Sequence, residues 1–581
     1  MPAAHRSLSE IRAELMAPGQ PFEIAHVELD GVSFRTWKNA PDNLVQILER
    51  SRAFADREFI VHEGQRVTFA EHYWQSLTMA HRLIDFGVQP GDRVAVAARN
   101  LPQVVVTFWG ALAAGAVVAP LNAWWTSEEL AFGLNDSAAT VLVVDEERLA
   151  RLRKQFNNLE HLRHIVVISD DPTHAADLGK PHDVIALRGF SEFLGTIDRH
   201  ASLPAIEIPA DHDATIFYTA GTTSRPKGAV ATHRNSVMSV MSLAFANRCR
   251  DLAAGVSPDP PREVTLLNIP LFHVTGALAG LVAHTATGGT LVTMRHFDAG
   301  RALSLIERER ITTIGGVPTI VQQLLAHPDL KRTNLSSVRL VSYGGAPVPE
   351  DLPGRVKAAL PRALTSNGYG LTETSALVAQ ISGDDYLAHP TSCGLAVPVC
   401  EIAVVPESFD GVEPTSVCHC PTNEAGELWV KGANVVRGYW HKPQATSQSF
   451  SRGWVRTGDI ARVDEDGLIY VVDRSKDMII HRGENVYPSI VETQLTQHPA
   501  IAECAVIGLP DEADGEEVVA VVVLREEGLA SKDDIAEFLR PRVASFEMPS
   551  RFYLRPFALP RNAQLKVLKR ELRDALTHEN F

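Results

Sequence analysis

The 581-residue sequence is poor in three things, and each shortage excludes something. Only six cysteines are present, at no repeated spacing, which rules out a disulfide framework and points to a reducing compartment. Positive charge is short as well: 55 Lys+Arg against 70 Asp+Glu leave a formal net charge of -15. The chain therefore has no general attraction for nucleic acid or an anionic membrane, and an anionic ligand must be held by a local site. Long apolar runs are the third shortage. The nearest approach, "VVVTFWGALAAGAVVAPL" from Val104 to Leu121, is interrupted by Gly110 and Gly115 and closed by Pro120. A buried helix followed by a buried strand is expected there, and no transmembrane segment.

The N-terminal "MPAAHRSLSEIRAELMAPG" carries no uninterrupted apolar core and the C-terminal "HENF" is no peroxisomal address, so a cytoplasmic location is expected. The tripeptide Cys418, His419, Cys420 has no second cysteine pair at ligand spacing and reads as a surface loop before it reads as a zinc site.

With 45% hydrophobic and 22% charged residues, the chain has the composition of a globular protein, and its length exceeds one ordinary core. Two or more domains are expected. The first third alternates clearly: strand-like "DRVAVAA" (92–98), a helical stretch from about 102, strand-like "GAVVAPL", the helix start Thr126 to Glu129 with the spacing of a capping box, and "TVLVVD" (140–145). Continuous apolar strands alternating with helices predict a parallel sheet covered on both faces, with ligands at the C-terminal ends of its strands. Late in the chain, a hairpin turning at Asp464 to Gly467 precedes about one hundred residues of compact α/β pattern, with a helix capped by Ser531.

The chemistry begins at "YTAGTTSRPKGAV", Tyr218 to Val230. So many small hydroxyls and glycines bury little apolar surface, and the value of such a loop lies in its backbone amides and its lysine, the profile of a phosphate cradle. The stretch follows an apolar strand and leads toward a helical pattern, which predicts a strand-loop-helix unit. It is not a Walker A loop, because Lys227 is followed by glycine and preceded by proline. Further on, "SYGGAP" (342–347) has paired glycines suited to close backbone approach, "NGYGLTET" (367–374) combines an aromatic ring, hydroxyls and a carboxylate, "RTGDIARVDEDG" sets Asp459 in a glycine turn, and "DRSK" and "LPRNAQLKVLKREL" supply cations.

In this order and at these separations the motifs resemble the adenylate-forming superfamily, in its acyl-CoA synthetase branch, over about Trp37 to Leu572. "PLFHVTG", "RGENVYP" and "LKVLKREL" carry the likeness to that branch. The resemblance implies an α/β fold: a large N-terminal domain of stacked α/β sheets (1–475) that binds ATP and the acid, and a small mobile α/β C-terminal lid domain (476–581). It implies a two-step reaction in which a carboxylic acid attacks the α-phosphate of ATP and coenzyme A then displaces AMP, with Mg²⁺ as cofactor. The implied partners are these small molecules, and a homodimer is left open.

Residue by residue, the resemblance places Thr219, Gly221, Thr222, Thr223 and Lys227 around the β- and γ-phosphates. Gly345, Ala346 and Pro347 would flank adenine, Tyr369 beside Gly370 would stack on it, and Asn367 would bind its edge. Thr372 falls to the α-phosphate, Glu373 to Mg²⁺ as a hard carboxylate ligand, and Asp459 and Arg474 to the ribose hydroxyls. His273 would stand at the acyl entrance, Lys476 at the pivot of the lid, and Lys566 would be catalytic, bridging carboxylate and α-phosphate. Lys569 reads as a solvated helix residue.

Several positions depart from the family pattern. Ala220 stands for a usual serine, Ser224 and Leu565 for usual glycines, Glu547 for a common lysine, and His481 and Arg482 replace small residues of the lid loop, where Arg482 would either narrow the pantetheine passage or bind a phosphate of coenzyme A. Three functions are thereby set against one another. The first is an ATP-dependent ligase joining an apolar acid, fatty, aryl or sterol-derived, to coenzyme A, for which "FHVTGALAGLVAHTATGG" and "TTIGGVPTIVQQLL" offer a mostly apolar lining. The second is an adenylate former that serves an amine or a carrier protein. The third is a silent nucleotide-binding homologue, against which Glu373, Asp459, Arg474 and Lys566 speak together.

Overall fold

The computed structural model describes residues 6–169, 185–219, 225–256, 262–346, 348–482, 484–511, 514–561 and 567–577. Among them lie a large N-terminal part with three main sheets and a smaller C-terminal domain with one.

The first sheet has seven strands, in spatial order Lys227–Thr232, Asp213–Thr219, Val117–Pro120, Arg93–Ala97, Val141–Asp145, His164–Ile168 and Ala186–Gly189. All neighbours are parallel except the edge hairpin of the first two. Val141–Asp145 is buried at every position, which is what its unbroken apolar run requires in a sheet covered on both faces. The run from Val104 resolves as expected: helix Pro102–Ala113 opens with proline in its first turn, the chain reverses at Gly115 (φ +72°), and strand Val117–Pro120 follows. No helix among the described residues is long and apolar enough to cross a membrane. The Thr126 and Ser531 capping boxes form at the starts of Ser127–Ser137 and Lys532–Leu539.

The second sheet has nine strands and a parallel centre in which Val264–Leu267, Thr313–Gly316, Leu340–Gly344 and Leu364–Tyr369 lie side by side. The third is antiparallel, built on Cys400–Val405, Gly426–Gly432 and Trp454–Val463, to which Ile469–Arg474 pairs through the turn at Asp464. There Asp464 Oδ1 accepts the backbone N–H groups of Asp466 and Leu468, and Gly467 takes φ +80°. The C-terminal sheet pairs Ile501–Asp511 with Gly515–Leu524 and packs two apolar clusters of its own, around Val491 and Phe552 on one face and Leu559 and Leu572 on the other.

The phosphate-cradle region differs from its expected form. Lys227–Thr232 is a strand antiparallel to Asp213–Thr219, and the helix begins only at His233, capped by Thr232. The unit is strand-loop-strand-helix. Ala229, Val230 and Ala231 are buried at the edge of the sheet, and this tertiary burial overrides the helical spacing of the residues that follow.

One irregular segment ties the three N-terminal sheets together. After strand Gly426–Gly432 the chain crosses to the edge hairpin of the first sheet, and its backbone groups find partners on the way. The Asn235 side-chain amide donates to Ala433 O and Val435 O, Val436 N–H donates to Glu373 O, Val230 N–H donates to Gly438 O, and Trp440 N–H donates to Gly228 O. Asn434 is fully buried: its amide donates to Thr374 O (3.0 Å) and Leu377 O (3.2 Å), and its Oδ1 lies 3.2 Å from Cys400 Sγ. Asn434→Ala would leave two buried carbonyls without donors and should cost about 3 kcal/mol. Urea unfolding of the N-terminal part is the measurement, and a loss under about 1 kcal/mol would mean that the segment is not a tie.

Candidate functional site

Strands Leu340–Gly344 and Leu364–Tyr369 end side by side, with Tyr343 opposite Asn367 and Gly344 opposite Gly368. A Cβ at Gly344 would stand 2.4 Å from Gly368 O, so this glycine serves the approach of two strands, while Gly345 (φ +72°) faces open space. Ala346 follows directly; Pro347 lies outside the described residues. Gly370 is needed for a different reason. A Cβ there would meet Ala376 O at 1.3 Å, because the chain folds back through the short turn Thr372–Thr374 with Ser375 and Ala376 both at positive φ. That turn presents Thr372 and Glu373.

Tyr369 and the two residues assigned to ribose come together. Asp459 and Arg474 are direct cross-strand partners, with Arg474 Nε 3.0 Å from Asp459 Oδ1. The Tyr369 hydroxyl donates to Asp459 Oδ2 over 2.7 Å. Asp459 is 3% exposed, and burial followed by its charge raises the Tyr369 phenol well above its ordinary pKa, which keeps it a donor. Asp459 raises the Arg474 guanidinium likewise. Both carboxylate oxygens keep lone pairs for hydroxyl donors from a ligand. Asp459 sits within a ten-residue strand and not in a turn proper: Gly458 (φ +67°) kinks the strand just before it, and Asp459 N–H donates to Thr457 Oγ1. Asn367 is buried, its amide donating to Ser392 O over 3.2 Å.

A second group meets around Tyr439, which no sequence motif singled out. Its hydroxyl donates to Glu373 Oε1 over 2.8 Å, and Lys227 Nζ lies 4.9 Å from the centre of its ring. Lys227 pairs with Thr219 across the hairpin, where Thr219 Oγ1 donates to Lys227 O over 3.4 Å. Gly221, Thr222 and Thr223, with Ala220 and Ser224, lie outside the described residues, as do Leu565 and Lys566. In sequence, "GANVVRGYW" (432–440) has the composition of any loop after a strand; only the buried neighbours of Tyr439 distinguish it.

Among the described residues no group of three or more His, Cys, Asp or Glu side chains is arranged to enclose a metal ion, and Cys418 Sγ lies 3.3 Å from Thr415 Oγ1. Mg²⁺ needs less than such a cage: it is bound by one or two carboxylates with substrate phosphates completing the shell. Glu373, one oxygen held by Tyr439 and the other without a hydrogen bond among the described residues, fits that demand.

His273 leaves the strand Val264–Leu267 in an aromatic corner, its ring 4.5 Å from that of Phe272, which packs edge-on to Trp124. It precedes Thr275–Val282, an eight-residue π-helix, a form that is rare and concentrated at functional sites. Beside it Val96, Val104, Phe108, Leu271, Phe272 and Leu281 enclose an apolar void of about 10 Å³, the room of a single water.

Two positions of the C-terminal domain have ion-pair partners within it. Arg482 occupies a left-handed backbone position (φ +55°), with its guanidinium 2.9 Å from Asp514 and its N–H on Asp514 O, so it is bound within its own domain. Lys569 is no solvated helix residue: its ammonium is 2.8 Å from Glu492, whose other contact is the Val506 N–H. Burial works against the Lys569 charge, but Glu492 and Asp473 together outweigh it and raise its pKa. Lys476, in the short turn Ser475–Asp477, is shifted down by burial and then by Arg474.

Residues 47–440 match the family model described as AMP-binding enzyme, and residues 490–566 that of the AMP-binding enzyme C-terminal domain. The chain is 34% identical over 527 residues to a feruloyl-CoA synthase of an Amycolatopsis species, spanning 90% of this chain and 97% of that protein. It is 33% identical over 509 residues to a long-chain-fatty-acid–CoA ligase of Mycobacterium tuberculosis, spanning 88% and 93%. Among solved structures, the o-succinylbenzoate CoA synthetase of Bacillus subtilis in complex with its acyl-adenylate intermediate is 29% identical, covers 91% of this chain and 98% of its own, and superposes with a TM-score of 0.74.

The Lys569 ion pair generates a test of its own. Glu492→Gln should weaken the C-terminal domain by about 2 kcal/mol by taking the contacting carboxylate from a largely buried ammonium, and Lys569→Met added to it should restore about half of that loss. Hydrogen exchange at the Val506 amide reads both; equal exchange in all three proteins would contradict the pairing.

Proposed function

The chain belongs to the AMP-binding enzymes, in the acyl-CoA synthetase branch, and is an AMP-forming acid–CoA ligase; within that class we propose that its acid is apolar and that the residues gathered around Asp459 and Glu373 carry the first step. The observation that supports this most is the meeting of Tyr369, Asp459 and Arg474 beside a turn that offers Thr372 and Glu373.

The physical difficulty of the first step is that a carboxylate must approach a triphosphate, anion against anion. Tyr369 and Asn367 hold adenine, with Gly345 open beside the flat base and Ala346 and Pro347 following it. Asp459 accepts the ribose hydroxyls, and Arg474 keeps that carboxylate oriented. Thr219, Gly221, Thr222, Thr223 and Lys227 offer donors to the β- and γ-phosphates, and Thr372 to the α-phosphate. Mg²⁺ held at Glu373 supplies neutralising charge to the phosphates. A carboxylate oxygen of the acid then bonds to the α-phosphorus as the bond to the bridging oxygen of pyrophosphate breaks. The role left to Lys566 is to offset their repulsion where charge develops. In the second step the thiolate of coenzyme A bonds to the acyl carbon and AMP leaves with the electron pair of the mixed anhydride.

An apolar acid is favoured because His273 sits against Phe272 and leads into the uncharged π-helix Thr275–Val282. Aryl, fatty and sterol-derived acids share that chemistry, and the two relatives named above divide between the first two.

Purified protein given ATP, Mg²⁺, coenzyme A and a pooled panel of such acids should yield thioester, AMP and pyrophosphate in equal amounts, with the rate falling at least about 100-fold in Lys566→Ala. Mass spectrometry reads all three products. Adenylate without thioester would transfer the second step to an amine or carrier acceptor, and no turnover with any acid would overturn the ligase assignment.

A further inference from the structure

Tyr439 is fixed by its backbone before its side chain does anything. It bridges to Ala229 on the edge hairpin, its N–H donates to Thr446 Oγ1 (3.0 Å), and its ring packs edge-on to Phe450 at 5.3 Å. Its neighbours are held equally firmly. Gly438 O accepts Val230 N–H, Trp440 N–H donates to Gly228 O, the Trp440 indole donates to Asp136 O (3.0 Å), and Lys442 Nζ pairs with Asp136 Oδ1 (2.7 Å). A ring anchored in this way does not follow the groups it touches; it locates them.

It touches two: the carboxylate of Glu373 through its hydroxyl and the ammonium of Lys227 through its face. The backbone carbonyl of Glu373 is held by Val436 of the same segment, so one stretch of chain fixes both ends of that residue. We propose that Tyr439 is a positioning residue, which holds Glu373 in the orientation from which its second oxygen would take up the Mg²⁺ that accompanies ATP, and which seats the Lys227 ammonium over its own ring. The inference rests on the reading of Glu373 as the metal carboxylate and extends it to the residue that aims it. A phenol is suited to this work: neutral, it does not compete for the cation, and its O–H is already placed on Glu373 Oε1.

Equilibrium calorimetry of ATP binding, without acid or coenzyme A and with or without Mg²⁺, isolates the effect. The wild-type chain should bind ATP more tightly when Mg²⁺ is present. Tyr439→Phe keeps the ring; it should leave the Mg²⁺-free affinity unchanged and lose about tenfold of the Mg²⁺-dependent gain. In a Glu373→Gln background the same substitution should have no further effect. Tyr439→Leu removes the ring too and should also weaken Mg²⁺-free binding about threefold, through Lys227. Equal losses from Tyr439→Phe with and without Mg²⁺, or an undiminished loss in the Glu373→Gln background, would make Tyr439 a structural brace only and overturn the proposal. So would a wild-type chain whose ATP affinity ignores Mg²⁺. Because no turnover is needed, a failure of the ligase reading shows in the thioester assay and not in these affinities.

Discussion

An irregular backbone segment buried where three sheets meet must have every one of its polar groups answered, and residues 433–440 are answered from all three sides. Asn434 and Asn235 supply side-chain donors where regular structure supplies none. The result is a fixed distance between the turn that carries Glu373, on the second sheet, and the hairpin that carries Lys227, on the first. Neither sheet alone would set that distance. Local order in the site is therefore a consequence of tertiary hydrogen bonding.

The electrostatics follow the same plan. In a chain of net charge -15, a phosphate-binding region needs cations that are concentrated and held still. Arg474 is held by Asp459, and Lys227 rests on a neutral aromatic face. In both cases a tyrosine hydroxyl completes the arrangement: Tyr369 on Asp459, Tyr439 on Glu373. Neutral donors of this kind orient a carboxylate without cancelling its charge, which leaves each carboxylate available to hydroxyls or to a metal.

Much of this was legible in the sequence wherever the signal is local. Capping boxes, the turn at Asp464 and the helix-strand break inside the run from Val104 depend on neighbours along the chain, and they form as expected. The misreadings share one cause, which is dependence on distant partners. Ala229 to Ala231 became a strand because the sheet edge buries them; Gly344 and Gly370 are demanded by Gly368 and Ala376, which meet them only in the folded chain. Lys569 looks like any charged helix residue until Glu492 is placed beside it. Tyr439 carried no signal at all, since its importance lies wholly in what it touches.

Which bond the site makes decides its chemistry. A carboxylic acid labelled with ¹⁸O in both carboxyl oxygens, incubated with the enzyme, ATP, Mg²⁺ and coenzyme A, follows the attacking atom directly. Attack by the carboxylate on the α-phosphorus predicts AMP carrying one ¹⁸O, a thioester retaining one, and unlabelled pyrophosphate. Label in the pyrophosphate, or unlabelled AMP accompanying a thioester, would mean that the carboxylate never bonds to the α-phosphorus, and would contradict the adenylate chemistry assigned to this fold.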